Sequence, residues 1–438
     1  MTEAERYLDR IPMWALRKNS LDQVRDFLEE MGSAYEGMRI VHVAGTNGKG
    51  SVCAYLTSIL REAGYSVGTF ISPHLIHVRE RFLLNQTPAD DRMFLDAFYR
   101  VKELAGLMTE RGYGPPTYFE FLFYMFMDIC DREKPDFVIL ETGLGGLLDI
   151  TNAVSHPLLT VITSVSMDHM QYLGTTIREI AAQKAGILKA GVPAVYDGCC
   201  PESRRVIEER AKVLGCPVFP VSEKDYELVK REKDGVRILV NTEEGPAEIR
   251  ISSRADYQMI NAAVAVRAAG VLKKLKGADI SVRHMKQGVE KCFWPGRMEE
   301  VLPDVYLDGA HNAGGMKALA RTIAGMQEET GKQVALMFGV VSDKEYHKMI
   351  RELCTGLRIS RVTIARMDTE RSADAESLAY EFKEFLGCPV EAFLTVKEAW
   401  EHFLREKGDD LGFCAGSLYL VGEVKALLMS PAEGDEYD

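Results

Sequence analysis

The sequence predicts an α/β protein: a parallel sheet wrapped by helices and carrying a small antiparallel ribbon, followed by a smaller, Rossmann-like α/β domain. Three observations predict it. Short β-branched apolar runs alternate with helix-length stretches, as in a βαβ chain. Those runs are apolar at nearly every position, the pattern of strands buried on both faces. The chain, at 438 residues, is about two to three times an ordinary domain, so two domains are expected.

The first strands are expected at 39–45, 136–143, 158–165 and 192–198. The run at 118–130 is too short for the roughly 20 residues of a membrane span and carries Glu120 and Asp128, so it reads as a buried helix. After Pro217 the pattern alternates and is cut by Asp234-Gly235 and Glu244-Gly245-Pro246, turn signals that predict the ribbon. Helices follow at about 258–274 and 282–292. Phe293-Trp294-Pro295-Gly296 then stops the helical pattern, which sets the expected domains at 1–295 and 296–438. In the second domain strands are expected at 305–311, 333–341, 361–367 and 390–394, each leading into a helix. The acidic tail 431–438 is expected to fray.

Composition narrows the function. A hydrophobic share of 46% and a charged share of 27% describe a folded globular chain. A net charge of −12 gives no general attraction for nucleic acid or an anionic membrane, so any polyanion must be met locally. Nine cysteines without a CxxC pair suggest neither a zinc site nor a disulfide framework, and fit a reducing cytoplasm. The N-terminus is charged and broken by Pro12, without the apolar core of an export signal.

The stretch RIVHVAGTNGKGSVCAYL places a glycine-rich turn between a strand and a helix. Gly45, Gly48 and Gly50 let backbone N–H groups, with those of Thr46 and Asn47, turn toward a polyphosphate. Lys49 supplies positive charge, and Ser51 can place a hydroxyl on Mg²⁺ at the helix start. Gly50 separates Lys49 from Ser51, so the strict GxxxxGK[ST] pattern is not met. Glu141 ends an apolar strand, where α/β ligand sites lie, and His169 is expected at the end of the next. Lys184 is expected at the start of a helix, where an ammonium gains nothing from the dipole and a modified, negative lysine would be better placed. Arg297 can offer a planar fork of donors to phosphate, and Asp308 and His311 follow a strand end.

GTNGKGS is the form this loop takes in Mur-type amide ligases, and the chain resembles the folylpolyglutamate synthases, which in many bacteria are also dihydrofolate synthases. The likeness extends through SPHLIHVRERF, TYFEFLF, ETGLGGLLDITN, TSVSMDH, QKAGILK, NAAVA, WPGRME, LDGAHN and GSLYLVGEV, in family order. It implies a P-loop, Mur-ligase-like first domain and a glutamate-ligase second domain. It further implies ATP-dependent addition of L-glutamate to folate or dihydropteroate through an acyl phosphate. Ser51, Ser72, Glu141 and His169 would hold two Mg²⁺ ions. Lys49, His169 and Lys184 would be catalytic, Lys184 as a carbamate. Gly45 to Ser51, Asn261, Arg297, Asp308 and His311 would bind ATP. Phe119 and Glu120 belong to the segment expected to meet the acceptor, with Phe119 either against an aromatic ring of the substrate or in the core. A cytoplasmic monomer acting on small molecules is expected.

Three positions and one segment depart from the family pattern: Leu147 where arginine is usual, Gln183 for glutamate, Ala313 for proline, and Ser20 to Val24 for a glycine-led segment associated with dihydropteroate. Three rivals follow. A ligase acting on UDP-muramyl peptides would need a further domain before the loop, and 44 residues precede Gly45. A non-catalytic nucleotide binder would not need Glu141, His169 and Lys184. A phosphotransferase would form ADP without glutamate.

Overall fold

The computed structural model describes residues 3–12, 19–32 and 35–429. The acidic tail, whose fraying is expected, lies outside the described residues, as does part of the N-terminal stretch. The chain divides into two compact units, 1–231 with 236–252 and 259–292, and 232–235 with 253–258 and 293–438.

The first unit is built on eight strands: β1 (Ile40–Ala44), β2 (Val67–Phe70), β3 (Phe82–Leu84), β4 (Thr87–Pro88), β5 (Phe137–Glu141), β6 (Leu159–Ile162), β7 (Ala194–Asp197) and β8 (Val218–Val221). Their order is β4-β3-β2-β5-β1-β6-β7-β8. From β2 to β8 all neighbours are parallel, while β3 and β4 add antiparallel. The expected strands are β1, β5, β6 and β7. Strands β2, β3 and β8 were not foreseen, being short and marked by glycine, charge or proline at their ends. Both sheet edges carry a proline, Pro88 in β4 and Pro220 in β8.

β1 is central and every residue in it is buried, as its unbroken apolar run requires. The helix Lys49–Glu62 follows it, buried continuously from Ser51 to Leu60. It is covered by the helix Val282–Lys291, so closely that a Cβ on Gly288 would stand 2.5 Å from the Ile59 Cα. The 118–130 run is the expected buried helix, Tyr118–Glu133, started by a capping box between Thr117 and Glu120. It packs against the Asp91–Glu110 helix and the N-terminal helices, with Tyr124 stacked on Phe27 at 3.9 Å between ring centroids. The predicted ribbon is present as β9 (Tyr226–Glu232), β10 (Gly235–Thr242) and β11 (Gly245–Ile251), turning at Asp234-Gly235 and Glu244-Gly245 as expected.

The second unit holds a sheet of β12 (Arg297–Leu302), β13 (Val305–Asp308), β14 (Val334–Phe338), β15 (Ile359–Ala365), β16 (Val390–Phe393) and β17 (Leu411–Ala415), in the order β12-β13-β17-β14-β15-β16. Only β12 runs antiparallel to its neighbour. A separate core of Met316, Leu319, Ile323, Phe338, Leu378 and Phe382 lies between this sheet and its helices. No helix among the described residues is long and apolar enough to cross a membrane.

Candidate active site

β1 turns into the 49–62 helix through Gly45 to Gly48. Gly45 and Gly48 have φ of 153° and 86°. A Cβ at Gly45 would stand 1.8 Å from Thr163 Oγ1, and one at Gly48 would stand 2.3 Å from Asn261 Oδ1. Glycine is required at both, and Asn261 is thereby placed against the loop.

The loop is latched to the residues that follow β6. The Thr46 N–H donates to the Ser164 carbonyl (2.7 Å), and the Thr163 hydroxyl donates to the Asn47 carbonyl (2.7 Å). The Ser166 N–H donates to Thr46 Oγ1 (3.1 Å), and Asn47 Nδ2 donates to Ser166 Oγ (3.2 Å). The TSVSMDH segment thus latches the loop through Thr163, Ser164 and Ser166, a use its sequence alone does not announce. Their signal was a run of hydroxyls directly after a strand buried beside β1.

Lys49 opens the helix, its Nζ donating to the Thr46 carbonyl at 3.3 Å and standing 3.9 Å from Glu141 Oε1. Glu141 ends β5, buried, and its Oε2 accepts the Ser72 N–H at 3.1 Å. The first turn of the same helix carries Ser51, also buried. Lys49, Glu141 and Ser72 are therefore brought together at the C-terminal ends of adjacent strands. His169 departs from expectation: β6 ends at Ile162, and His169 lies beyond a loop, in left-handed conformation (φ 49°) at the head of the helix Met170–Leu173. Its Nε2 is 3.8 Å from Asp168 Oδ2.

Lys184 requires a correction. It is the last residue of the helix Ile177–Lys184, not the first of one, so the helix dipole favours its charge there and the dipole argument for a modified lysine fails. Its surroundings matter more. The side chain is buried, Nζ donates to the Gly45 carbonyl at 2.7 Å, and burial, with Lys49 as a second cause, pushes its pKa down to about 7.

The two departures beside Lys184 meet through their backbones. The Leu147 N–H donates to the Gln183 carbonyl (2.7 Å), and Asn152 Nδ2 donates to the carbonyls of Leu147 (3.0 Å) and Gly186 (3.2 Å). A Cβ on Gly186 would stand 2.4 Å from the Leu147 Cα. Because the interlock uses main-chain atoms, neither replacement breaks it. A buried chain below it was also missed from sequence. The Thr151 hydroxyl donates to Asp149 Oδ1 (2.5 Å) and lies 2.8 Å from His42 Nε2, which must then be the protonated ring nitrogen. Burial, with Lys189 as a lesser cause, lowers the His42 pKa to about 3.

Phe119 is half-buried and lies over Gly143, where a Cβ would meet its ring at 2.6 Å; it also packs on Phe70, with centroids 5.5 Å apart. Glu120 is fully engaged in folding at one oxygen: Oε2 accepts the Thr117 N–H (2.6 Å) and Asn19 Nδ2 (3.4 Å), while Oε1 has no partner among the described residues.

In the second unit, Arg297 begins β12 and Asp308 ends β13. The buried Asp308 accepts the Ala310 N–H on Oδ1 (2.8 Å), and the Met298 N–H (3.0 Å) and Tyr257 hydroxyl on Oδ2. Burial raises its pKa, and Arg297 opposes the rise. A Cβ on Gly309 would stand 2.2 Å from Arg297 Nη1, so the guanidinium lies along that backbone. His311 Nδ1 is 2.8 Å from the Gly309 carbonyl, which can only accept, so Nδ1 carries a proton. Asn312 caps the helix Ala313–Thr330, and Ala313 fills its first position, where proline would also fit.

The pattern of the Mur ligase middle domain matches residues 113–269, and that of the Mur ligase glutamate ligase domain matches residues 296–418. The dihydrofolate synthase/folylpolyglutamate synthase of Bacillus subtilis is 37% identical over 427 residues, covering 94% of this chain and 95% of that protein. The chain belongs to the folylpolyglutamate synthase/dihydrofolate synthase family. Solved structures of family members agree with the fold. The folylpolyglutamate synthase of Thermotoga maritima aligns with a TM-score of 0.81 at 29% identity, covering 98% of this chain and 96% of that one. Escherichia coli FolC, in complex with DHPP and ADP, aligns with a TM-score of 0.82 at 26% identity, covering 97% of this chain and 96% of that one. The Mur-ligase-like fold expected from the family's motifs is the one observed.

Proposed function

We propose that this chain is an ATP-dependent ligase that adds L-glutamate to folates and to dihydropteroate, by way of an acyl phosphate. The observation that carries the reading is the latched glycine loop, with Lys49 beside the buried Glu141 and the Lys184 amine against the Gly45 carbonyl.

A carboxylate is a poor acyl donor, so the acceptor carboxyl first takes the γ-phosphoryl group of ATP. The amine of glutamate then attacks the acyl carbon and phosphate leaves. The Thr46 N–H is given to the Ser164 carbonyl, so the other loop N–H groups and Lys49 would bind the phosphates and neutralise charge on the transferring group, and the rest is positioning. Asn261, at the loop, and Arg297, Asp308 and His311, in the glutamate-ligase domain, complete the proposed ATP set. The proposed domains run 1–295 and 296–438. The bonds to Asp308 make it a fixed acceptor rather than a mobile one.

The donor set suits Mg²⁺. Glu141 and the hydroxyls of Ser51 and Ser72 are hard oxygen ligands, and no cluster of three or more His, Cys, Asp or Glu stands ready to hold a metal among the described residues. Such a sparse set fits an ion that draws its remaining ligands from phosphate and water. Ser51, Ser72, Glu141 and His169 would hold it in two sites, where it supplies charge neutralisation to the phosphoryl group.

Lys184 is proposed to be carbamylated. With a pKa near 7 it is substantially neutral at neutral pH, so its nitrogen can attack CO₂, forming the N–C bond and losing a proton to give an anion. Phe119 would meet the acceptor's ring; Glu120 would shape that end through the helix cap. The nine free cysteines are consistent with a reducing cytoplasm and need no catalytic role.

The test is incubation with ATP, Mg²⁺ and labelled glutamate, offering dihydropteroate or a reduced folate monoglutamate, with ADP and labelled product measured. Product with both acceptors is expected. ADP formed without labelled product would point to a phosphotransferase, and no turnover with either acceptor would overturn the reading.

A further inference from the structure

Away from the phosphate loop, a cleft of about 360 Å³ is lined by Glu3, Arg6, Tyr7, Arg10 and Lys102. Its floor is fixed: the Tyr7 ring packs edge-on against Phe98 (5.4 Å) and against Phe121 (5.8 Å). Lys102 Nζ lies 4.8 Å over the same ring, held also by Glu3 at 3.9 Å. Arg6 and Arg10 are exposed, and neither has a carboxylate partner among the described residues. Three cations against one carboxylate, in a chain of net charge −12, make a local anion site.

The cleft borders the helix that carries Phe119. The Tyr118 N–H, at the start of that helix, donates to the Pro12 carbonyl at 3.2 Å, two residues past Arg10, while Tyr7 touches Phe121 on the side of the helix away from Phe119. We infer that this cleft holds the internal α-carboxylates of acceptors that already carry a γ-linked oligoglutamate chain. The inference rests on the folate-ligase reading. In such a chain five bonds separate successive Cα atoms, a carboxylate repeat of roughly 6 Å when extended. Arg6 lies in the helix Glu3–Asp9 and Arg10 in the turn just after it, whose N–H donates to the Tyr7 carbonyl at 3.1 Å, so the two stand about one turn apart on the cleft, close to the spacing of roughly 5–6 Å between helical residues four apart. Since each addition occurs at the free γ-carboxyl, every new residue moves the earlier carboxylates one repeat outward from the loop. Arg6 and Arg10 match consecutive carboxylates, and Lys102 matches a third.

The test uses the full chain. Binding of γ-linked triglutamate, without a pterin, is titrated calorimetrically at low and high salt, with tripolyphosphate as a second ligand, in the native sequence and in Arg6→Ser/Arg10→Ser. Kinetics are measured with monoglutamate and tetraglutamate folates. Expected are salt-sensitive binding of the peptide, weakening by about tenfold in the double variant, and a raised KM for the tetraglutamate with monoglutamate turnover unchanged. An unchanged tetraglutamate KM, or an equal rise for both acceptors, overturns the inference. Binding of tripolyphosphate but not of the peptide also overturns it, and marks a phosphate site instead. If no folate is glutamylated, the ligase reading fails separately, and loss of peptide binding in the double variant still decides the cleft.

Discussion

The amine of Lys184 combines burial, a neighbouring Lys49 and a bond to the very loop that would hold phosphate. Replacement by alanine is expected to abolish ligation, with partial rescue by short carboxylic acids, and full activity in that variant would exclude a carbamate there. The depressed pKa also links to folding. Between about 7 in the native protein and roughly 10.4 in the unfolded chain, only the unfolded state holds the proton, so this group's contribution rises with pH. Urea unfolding at pH 7 and pH 9 should therefore show the native sequence gaining on Lys184→Met as pH increases. His42 has the same sign at lower pH: its contribution is lost as pH falls from about 6.5 toward 3. Its ring carbon shifts should stay constant from pH 8 to pH 4. Gly45, Lys49 and Glu141 were legible because glycine, charge and strand end fall in a fixed order. Lys184's environment was not, since nothing local in QKAGI tells that Nζ reaches a carbonyl 139 residues earlier in the chain.

Elements were readable where apolar runs were long and their ends carried signals. The helix Tyr118–Glu133 shows both, with Thr117 at its head and Glu120 three residues on. Thr117→Ala should cost about 1 kcal/mol in unfolding free energy and raise the KM for the acceptor, because the cap sets the turn that presents Phe119; Thr117→Ser should retain both. β12 and β17 are hard to read for opposite reasons: RMEEVL is an edge strand with charge at Arg297, Glu299 and Glu300, and LGFCA is five residues long with glycine inside it. The latch between the loop and the residues after β6 was also illegible, because hydroxyls after a strand read equally well as a solvated turn. Thr163→Val keeps the shape but removes the donor to the Asn47 carbonyl. About tenfold weaker ATP binding is expected, measured by calorimetry, in line with roughly 1.4 kcal/mol for one hydrogen bond.

At the scale of the whole molecule, length and the Pro295-Gly296 break anticipated two domains, whereas the grouping of 253–258 with the second unit could not be read from order along the chain. Each unit has a buried core of its own among the described residues. Thermal unfolding should consequently depart from a single two-state transition, with the calorimetric enthalpy exceeding the van't Hoff value; equality of the two would show one cooperative block. The edges of the eight-stranded sheet have a further consequence. An edge is ordinarily a template on which another chain can add a strand. Here one edge is only the pair Thr87–Pro88, and the other presents Pro220, which has no N–H to offer. That sheet is thereby closed to growth from either side, so a second chain finds no free edge on it to extend.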